Sequence, residues 1–210
     1  DDMGVGKSLE LSVASIEGNF DSVLIICPAS LKTNWKKELM WYTPERDITI
    51  IESPIRMTKP ELEKYLGYKE GRSGLTVKEL QEEAKDKGKW EDNRFVIVNF
   101  DILEEFYKIP ATRSKENLQK ALEESPMLQY ILNKKSLIII DEAHRLSNDT
   151  SIRYKIIDNL IKRGKPDSVY LATGTPITNN PQNFYCILKL INDPITDDWQ
   201  YYMERYCGAM

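Results

Sequence analysis

Five short runs, apolar at nearly every position, constrain this chain more than any other feature. They lie at 21–27 (DSVLIIC), 47–51 (DITII), 94–99 (RFVIVN), 136–141 (SLIIID) and 168–173 (SVYLAT). A sheet with one wet face alternates apolar and polar residues, whereas a parallel sheet covered on both faces reads as continuous apolar runs. Helical patterns separate them, at 9–16, 31–41 and 152–161. In the last, Ile152, Ile156, Ile157, Leu160 and Ile161 share one face. Strand–helix alternation predicts an α/β doubly wound fold, a mostly parallel sheet flanked by helices.

At 210 residues, with 41% hydrophobic and 30% charged, the chain has material for one packed domain. Its 29 Lys and Arg against 33 Asp and Glu give a net charge of −4. That excludes a uniformly basic nucleic-acid binder but leaves room for a local basic groove. No apolar run approaches the roughly 20 residues of a membrane span, so no membrane partner is expected. Cys27, Cys186 and Cys207 are far apart and form no CxxC pair, which argues against a zinc site or a disulfide framework. A reducing, intracellular setting fits, cytoplasmic or nucleoid/nuclear. The chain starts at Asp1 and enters a motif at once, so a fragment lacking its natural start is expected.

Two stretches, 57–93 and 108–133, read as helical insertions in the core pattern. The first holds two capping boxes, Thr58 with Glu61 and Thr76 with Glu79. Its mixed charges suit a solvated face, with a DNA- or partner-binding appendage as the other reading.

The residues Met3, Gly4, Val5, Gly6, Lys7 and Ser8 match the second half of a phosphate-binding loop. Glycines let backbone N–H groups turn around phosphate oxygens, and the following helix aims its positive end at the same anion. Lys7 is placed for the β- and γ-phosphates of ATP, and the Ser8 hydroxyl for Mg²⁺. Asp1 stands where the general pattern has a glycine. A glycine-rich turn with an incidental Lys-Ser would account for this motif alone.

The run at 136–141 ends in Asp141, followed by Glu142, Ala143 and His144. An acid at the carboxyl end of a buried parallel strand lies on the ligand edge of the sheet. Asp141 is a candidate Mg²⁺ ligand and Glu142 a candidate general base for the attacking water. An N-capping Asp141 and a solvated Glu142 would explain the pair in isolation; the two motifs together predict each other. His144, the only histidine, reads as a bridge from the nucleotide site to a neighbouring loop.

These motifs resemble the helicase-like ATPases of superfamily 2, and more narrowly the Swi/Snf-type DNA translocases. In that family the phosphate loop reads Asp-Glu-Met-Gly-Leu-Gly-Lys-Thr, so Asp1 is in place, and this chain differs at Asp2, Val5 and Ser8. Arg145 to Asn148 continues the acidic motif, with Ser147 where the family has Lys. Residues 26–31 with Trp35 resemble motif Ia, and 97–101 a motif in which Asn99 and Phe100 replace hydroxyl-bearing residues. Residues 171–179 resemble motif III, and 205–209 the segment that follows it in annealing-helicase-like relatives.

The resemblance implies a RecA-like P-loop lobe over 1–210, with the lobe's first strand and a second RecA-like lobe outside the chain. It implies ATP and Mg²⁺ as cofactors and DNA as partner, contacted mainly through phosphates. The implied DNA-contacting residues are Ser30, Leu31, Asn99 and Asn179, and the implied coupling residues are His144, Thr173, Gly174 and Thr175. Lys7, Asp141 and Glu142 are the implied catalytic set. The family's arginine fingers belong to the second lobe, so the isolated chain is expected to be inactive. An RNA helicase lobe is a second reading, against which Thr173-Gly174-Thr175-Pro176 stands where RNA helicases carry Ser-Ala-Thr. A non-hydrolysing nucleic-acid-binding scaffold on the same fold is a third.

Overall fold

A computed structural model describes residues 6–53, 57–69, 71–86, 92–106, 125–132, 134–175 and 181–208. All five apolar runs form strands: β1 Ser22–Cys27, β2 Ile48–Ile50, β3 Phe95–Asn99, β4 Ser136–Asp141 and β5 Ser168–Ala172. Each strand end falls within one residue of the expected one. The strands make one sheet in the order β2-β3-β1-β4-β5, with every pairing parallel. β1 pairs with β3 on one side (Cys27 opposite Asn99) and with β4 on the other (Ile26 opposite Ile140).

The continuous apolar runs follow from two cores. Successive side chains along a strand point to opposite faces. Leu24, Ile26, Val96, Val98, Ile138 and Ile140 enter one core. Val23, Ile25, Cys27, Phe95, Ile97, Leu137 and Ile139 enter the other. Each fully buried Ile or Leu contributes about 1.5–3 kcal/mol, so a polar residue is costly at any of these positions.

The second core is covered by α1 (Lys7–Glu17) and α2 (Lys32–Leu39), through Leu11, Ile16, Trp35 and Leu39. A 3-10 turn, Ala29–Leu31, leads into α2. The helix expected over 31–41 ends two residues early, in a turn leading to Pro44, which adopts an extended backbone. After α2 come α3 (Lys59–Leu66) and α4 (Val77–Asp86), within the first expected insertion. They pack on each other around Leu62, Leu66 and Leu80. Both capping boxes form: the Thr58 and Thr76 amides donate to Glu61 and Glu79 at 2.7 and 2.8 Å.

The first core is covered by α5 (Phe100–Phe106), α6 (Pro126–Ile131), α7 (Ile152–Gly164) and α8 (Pro181–Leu190). Most of the second expected insertion, 108–133, lies outside the described residues. Its end departs from the expectation of a polar addition: Met127, Tyr130 and Ile131 of α6 are buried in the main core. The chain closes with α9 (Trp199–Tyr206), where Tyr202 meets Tyr185 of α8 edge-on.

Candidate active site

From β1 the chain moves to one side of the sheet over one face. From β3 through β4 to β5 it moves the other way, with α5, α6 and α7 packed on the opposite face. Such a reversal opens a crevice at the carboxyl ends of the strands. Asn99, Asp141 and Ala172 close their strands at this edge, and the turn bearing Ser30 and Leu31 follows β1 there.

Lys7 and Ser8 open α1. Gly6, the residue before them, has φ 85°, a left-handed conformation that a glycine adopts without penalty. No atom stands within 4 Å of where a Cβ would be, so backbone conformation alone requires glycine there. Met3, Gly4 and Val5 lie outside the described residues, as does Asn179.

Asp141 is 8% exposed, and both of its oxygens are engaged. Oδ2 accepts the indole N–H of Trp35 at 2.9 Å, and Oδ1 accepts the backbone N–H of Glu142, also at 2.9 Å. Glu142 has φ 55° and ψ 49°. A non-glycine residue pays about 1–2 kcal/mol for this conformation. The turn breaks the strand's alternation, which would otherwise send adjacent side chains to opposite faces. Glu142 Oε2 is buried and 3.0 Å from His144 Nδ1, but off the direction a hydrogen bond requires, so it has no hydrogen-bond donor. A buried carboxylate oxygen in that state suits an incoming donor such as a water molecule.

His144 lies in the 3-10 segment Ala143–Leu146, with Nδ1 3.1 Å from Thr173 Oγ1 and 3.4 Å from Thr175 Oγ1. The Thr175 amide donates to the Thr173 hydroxyl at 3.1 Å, closing the loop after β5 on itself. Asn99 is buried; its amide approaches Asp101, which pairs with Arg153, and its Oδ1 has no hydrogen-bond partner. Ser30 is exposed and Leu31 half-buried. Burial pushes the Cys27 thiol up to about 12, with Asp141 adding to the rise and Lys32 opposing it, so this cysteine is a neutral core residue.

The donor set fits Mg²⁺. A serine hydroxyl and a carboxylate are hard oxygen donors, and Mg²⁺ in phosphoryl-transfer sites takes one or two protein ligands, the rest coming from phosphates and water. Among the described residues no cluster of three or more His, Cys, Asp or Glu side chains could hold a metal unaided.

Sequence reasoning assigned no role to Glu38 and none beyond motif membership to Trp35. Glu38 accepts from Asn34 Nδ2 at 2.7 Å and from the Ser8 hydroxyl at 3.5 Å. The available signal was the Trp-x-x-Glu spacing, which puts both side chains on one face of a helix.

A family profile described as "SNF2-related domain" matches residues 1–207. Among curated relatives, the "Transcriptional regulator ATRX homolog" of Drosophila melanogaster is 25% identical over 99% of this chain and 14% of its own length. The "ISWI chromatin-remodeling complex ATPase ISW1" of Saccharomyces cerevisiae is 27% identical over 95% of this chain and 14% of its own. The "DNA annealing helicase and endonuclease ZRANB3" of Mus musculus is 22% identical over the full chain and 15% of its own length. The chain thus spans about one seventh of these relatives. Among solved structures, the "Sulfolobus solfataricus SWI2/SNF2 ATPase core in complex with dsDNA" superposes with a TM-score of 0.59 at 20% identity, covering 99% of this chain and 34% of that one. No helix among the described residues is long and apolar enough to cross a membrane.

Proposed function

The chain belongs to the SNF2-related domain family, and from that premise we propose that it is the ATP-binding lobe of a DNA-dependent ATPase that translocates on duplex DNA or remodels complexes on it. The observation that carries this reading is the Asp141–Glu142 pair at the carboxyl edge of the sheet, with one acid held by two N–H donors and the other keeping a buried oxygen without one.

In this reading the α1 N-terminus and Lys7 bind the phosphates, and Met3, Gly4, Val5 and Gly6 complete the cradle. Ser8 and Asp141 hold Mg²⁺, which neutralises charge on the β- and γ-phosphates. Glu142 accepts a proton from the attacking water through its free oxygen. Ser30, Leu31 and Asn179 meet the DNA backbone, whereas Asn99, 2% exposed, is not placed to do so directly; His144 with Thr173, Gly174 and Thr175 couples the two sites. Stretches 57–93 and 108–124 are additions to the lobe. Arginine fingers come from a second lobe of the full-length protein. The names of the relatives, a chromatin-remodeling ATPase and a DNA annealing helicase, and the duplex-bound neighbour support a DNA partner. They also fit a chromatin or nucleoid setting.

Phosphate release by the full-length protein, with and without duplex DNA, tests the reading. DNA should stimulate turnover. Glu142→Gln should keep ATP binding and lose about 10²-fold or more of the rate, while Lys7→Ala should weaken binding itself. The isolated chain should hydrolyse negligibly, since an arginine finger alone is worth about 10³ to 10⁵ in rate. A Glu142→Gln protein with an unchanged DNA-stimulated rate, or robust turnover by the isolated chain, would overturn it.

A further inference from the structure

Ser8 and Asp141 come from different elements, yet one helix touches both. Trp35 on α2 donates to Asp141, and Glu38, one turn along the same helix, accepts from Ser8. Trp35 is 1% exposed and Asp141 8%, so solvent offers neither group an alternative partner. A buried indole N–H without an acceptor is expensive, so ring and carboxylate fix one another's position. Tryptophan is also a neutral donor. It orients the carboxylate without the positive charge of a lysine or arginine, which would compete with a cation for the same oxygen. Lys32, one turn earlier on α2, is turned away, donating to the Ile51 carbonyl at 3.2 Å and to Glu52 at 2.8 Å. A serine hydroxyl that ligates a cation through its oxygen keeps its proton and needs an acceptor for it. Glu38 Oε1, 3.5 Å away and also accepting from Asn34, is the acceptor in reach, and Glu38 Oε2 is buried without a hydrogen-bond partner.

We infer that α2 is the positioning element of the cation site, Trp35 setting the Asp141 carboxylate and Glu38 the Ser8 hydroxyl. The inference rests on the magnesium reading above and names what holds its two ligands in register. Partners behind metal ligands commonly govern about 10- to 100-fold in metal affinity.

The test measures nucleotide affinity of the full-length protein with a fluorescent ATP analogue, once in chelator and once in Mg²⁺. Trp35→Phe keeps the buried ring and deletes the N–H. It should leave the metal-free affinity and the cooperative thermal transition in place and cut the Mg²⁺-dependent tightening about 10-fold or more. Raising Mg²⁺ should recover turnover, which a merely structural lesion would not allow. Should Trp35→Phe fail to fold, Glu38→Leu carries the test through Ser8, and undiminished tightening there would overturn the inference. If Trp35→Phe leaves the tightening intact while Asp141→Asn removes it, the positioning role falls and the magnesium reading stands. If Asp141→Asn also leaves it intact, both fall.

Discussion

His144 Nδ1 stands 3.1 Å from the hydroxyl of Thr173, which ties the segment leaving β4 through the acidic pair to the loop leaving β5. The same nitrogen is 3.0 Å from Glu142 Oε2. Its hydrogen-bond contacts are to the loop hydroxyls of Thr173 and Thr175, which leaves the carboxylate oxygen without a donor. Thr173→Val keeps the side-chain shape and removes the hydroxyl. It should leave ATP binding in place and reduce DNA stimulation of turnover by about 5- to 150-fold, the span of ordinary coupling energies. Equal stimulation in the variant and the parent protein, in a phosphate-release assay over a DNA titration, would remove the coupling role.

The proposed DNA-contacting residues Ser30 and Leu31 lie in the turn that leaves the carboxyl edge of the sheet. Contacts there should reach phosphates rather than base edges. Binding by the full-length protein should then vary little among unrelated duplexes and fall steeply with salt. Titrations of several duplexes at two salt concentrations check both features. A strong preference for one sequence with a shallow salt slope is the contrary result.

Tyr130 anchors α6 to the start of the sheet. Its hydroxyl donates to the Arg94 carbonyl at 2.7 Å and accepts the Val23 N–H at 3.3 Å, bridging β1 to the approach of β3. Tyr130→Phe removes the hydroxyl's bonds to the Asn93 and Arg94 carbonyls, while the Val23 amide keeps its 2.7 Å bond to the Arg94 carbonyl, so the change should cost about 0.5–1.5 kcal/mol. Urea unfolding should show a lower midpoint with an unchanged slope. No shift in midpoint would mean that water replaces the hydroxyl.

The α3–α4 pair should loosen in acid before the sheet does. Glu63 is 1% exposed and accepts from Ser73 Oγ and the Gly71 amide. The Ser73 hydrogen bond first, and the Gly71 amide next, hold its pKa below the ordinary 4.5. Glu61 and Glu79 are lowered in the same way by Thr58 and Thr76. A depressed folded-state pKa gives stability that is full above the unfolded value and is lost as pH falls through the folded one. The loss should begin below about pH 4.5, the ordinary glutamate value. Hydrogen exchange at the Gly71 amide should accelerate there, and Glu63→Gln should flatten that response. Exchange at Gly71 that tracks the core strands across the whole range would contradict it.

The strands were legible because their signal is local. A run of apolar residues with no alternation, such as Leu137 to Ile140, has no stable place except between two covered faces. The candidate phosphate loop and acid pair stood out for a similar reason, since each is a short peptide whose residue types such chemistry would dictate. The capping boxes, spanning four residues each, formed where expected. Relationships between distant segments were not legible. Trp35 and Asp141 are 106 residues apart, and they meet only because β4 pairs with β1 while α2 packs across the face beside them. Segment 126–131 read as part of a polar addition, yet Met127, Tyr130 and Ile131 complete the core. The chain by itself determined which segments become strands and marked which residues are candidates for chemistry, because backbone preference and residue chemistry act over a few positions. Tertiary structure alone decided which partners those residues have, because strand order brings together groups that no local pattern relates.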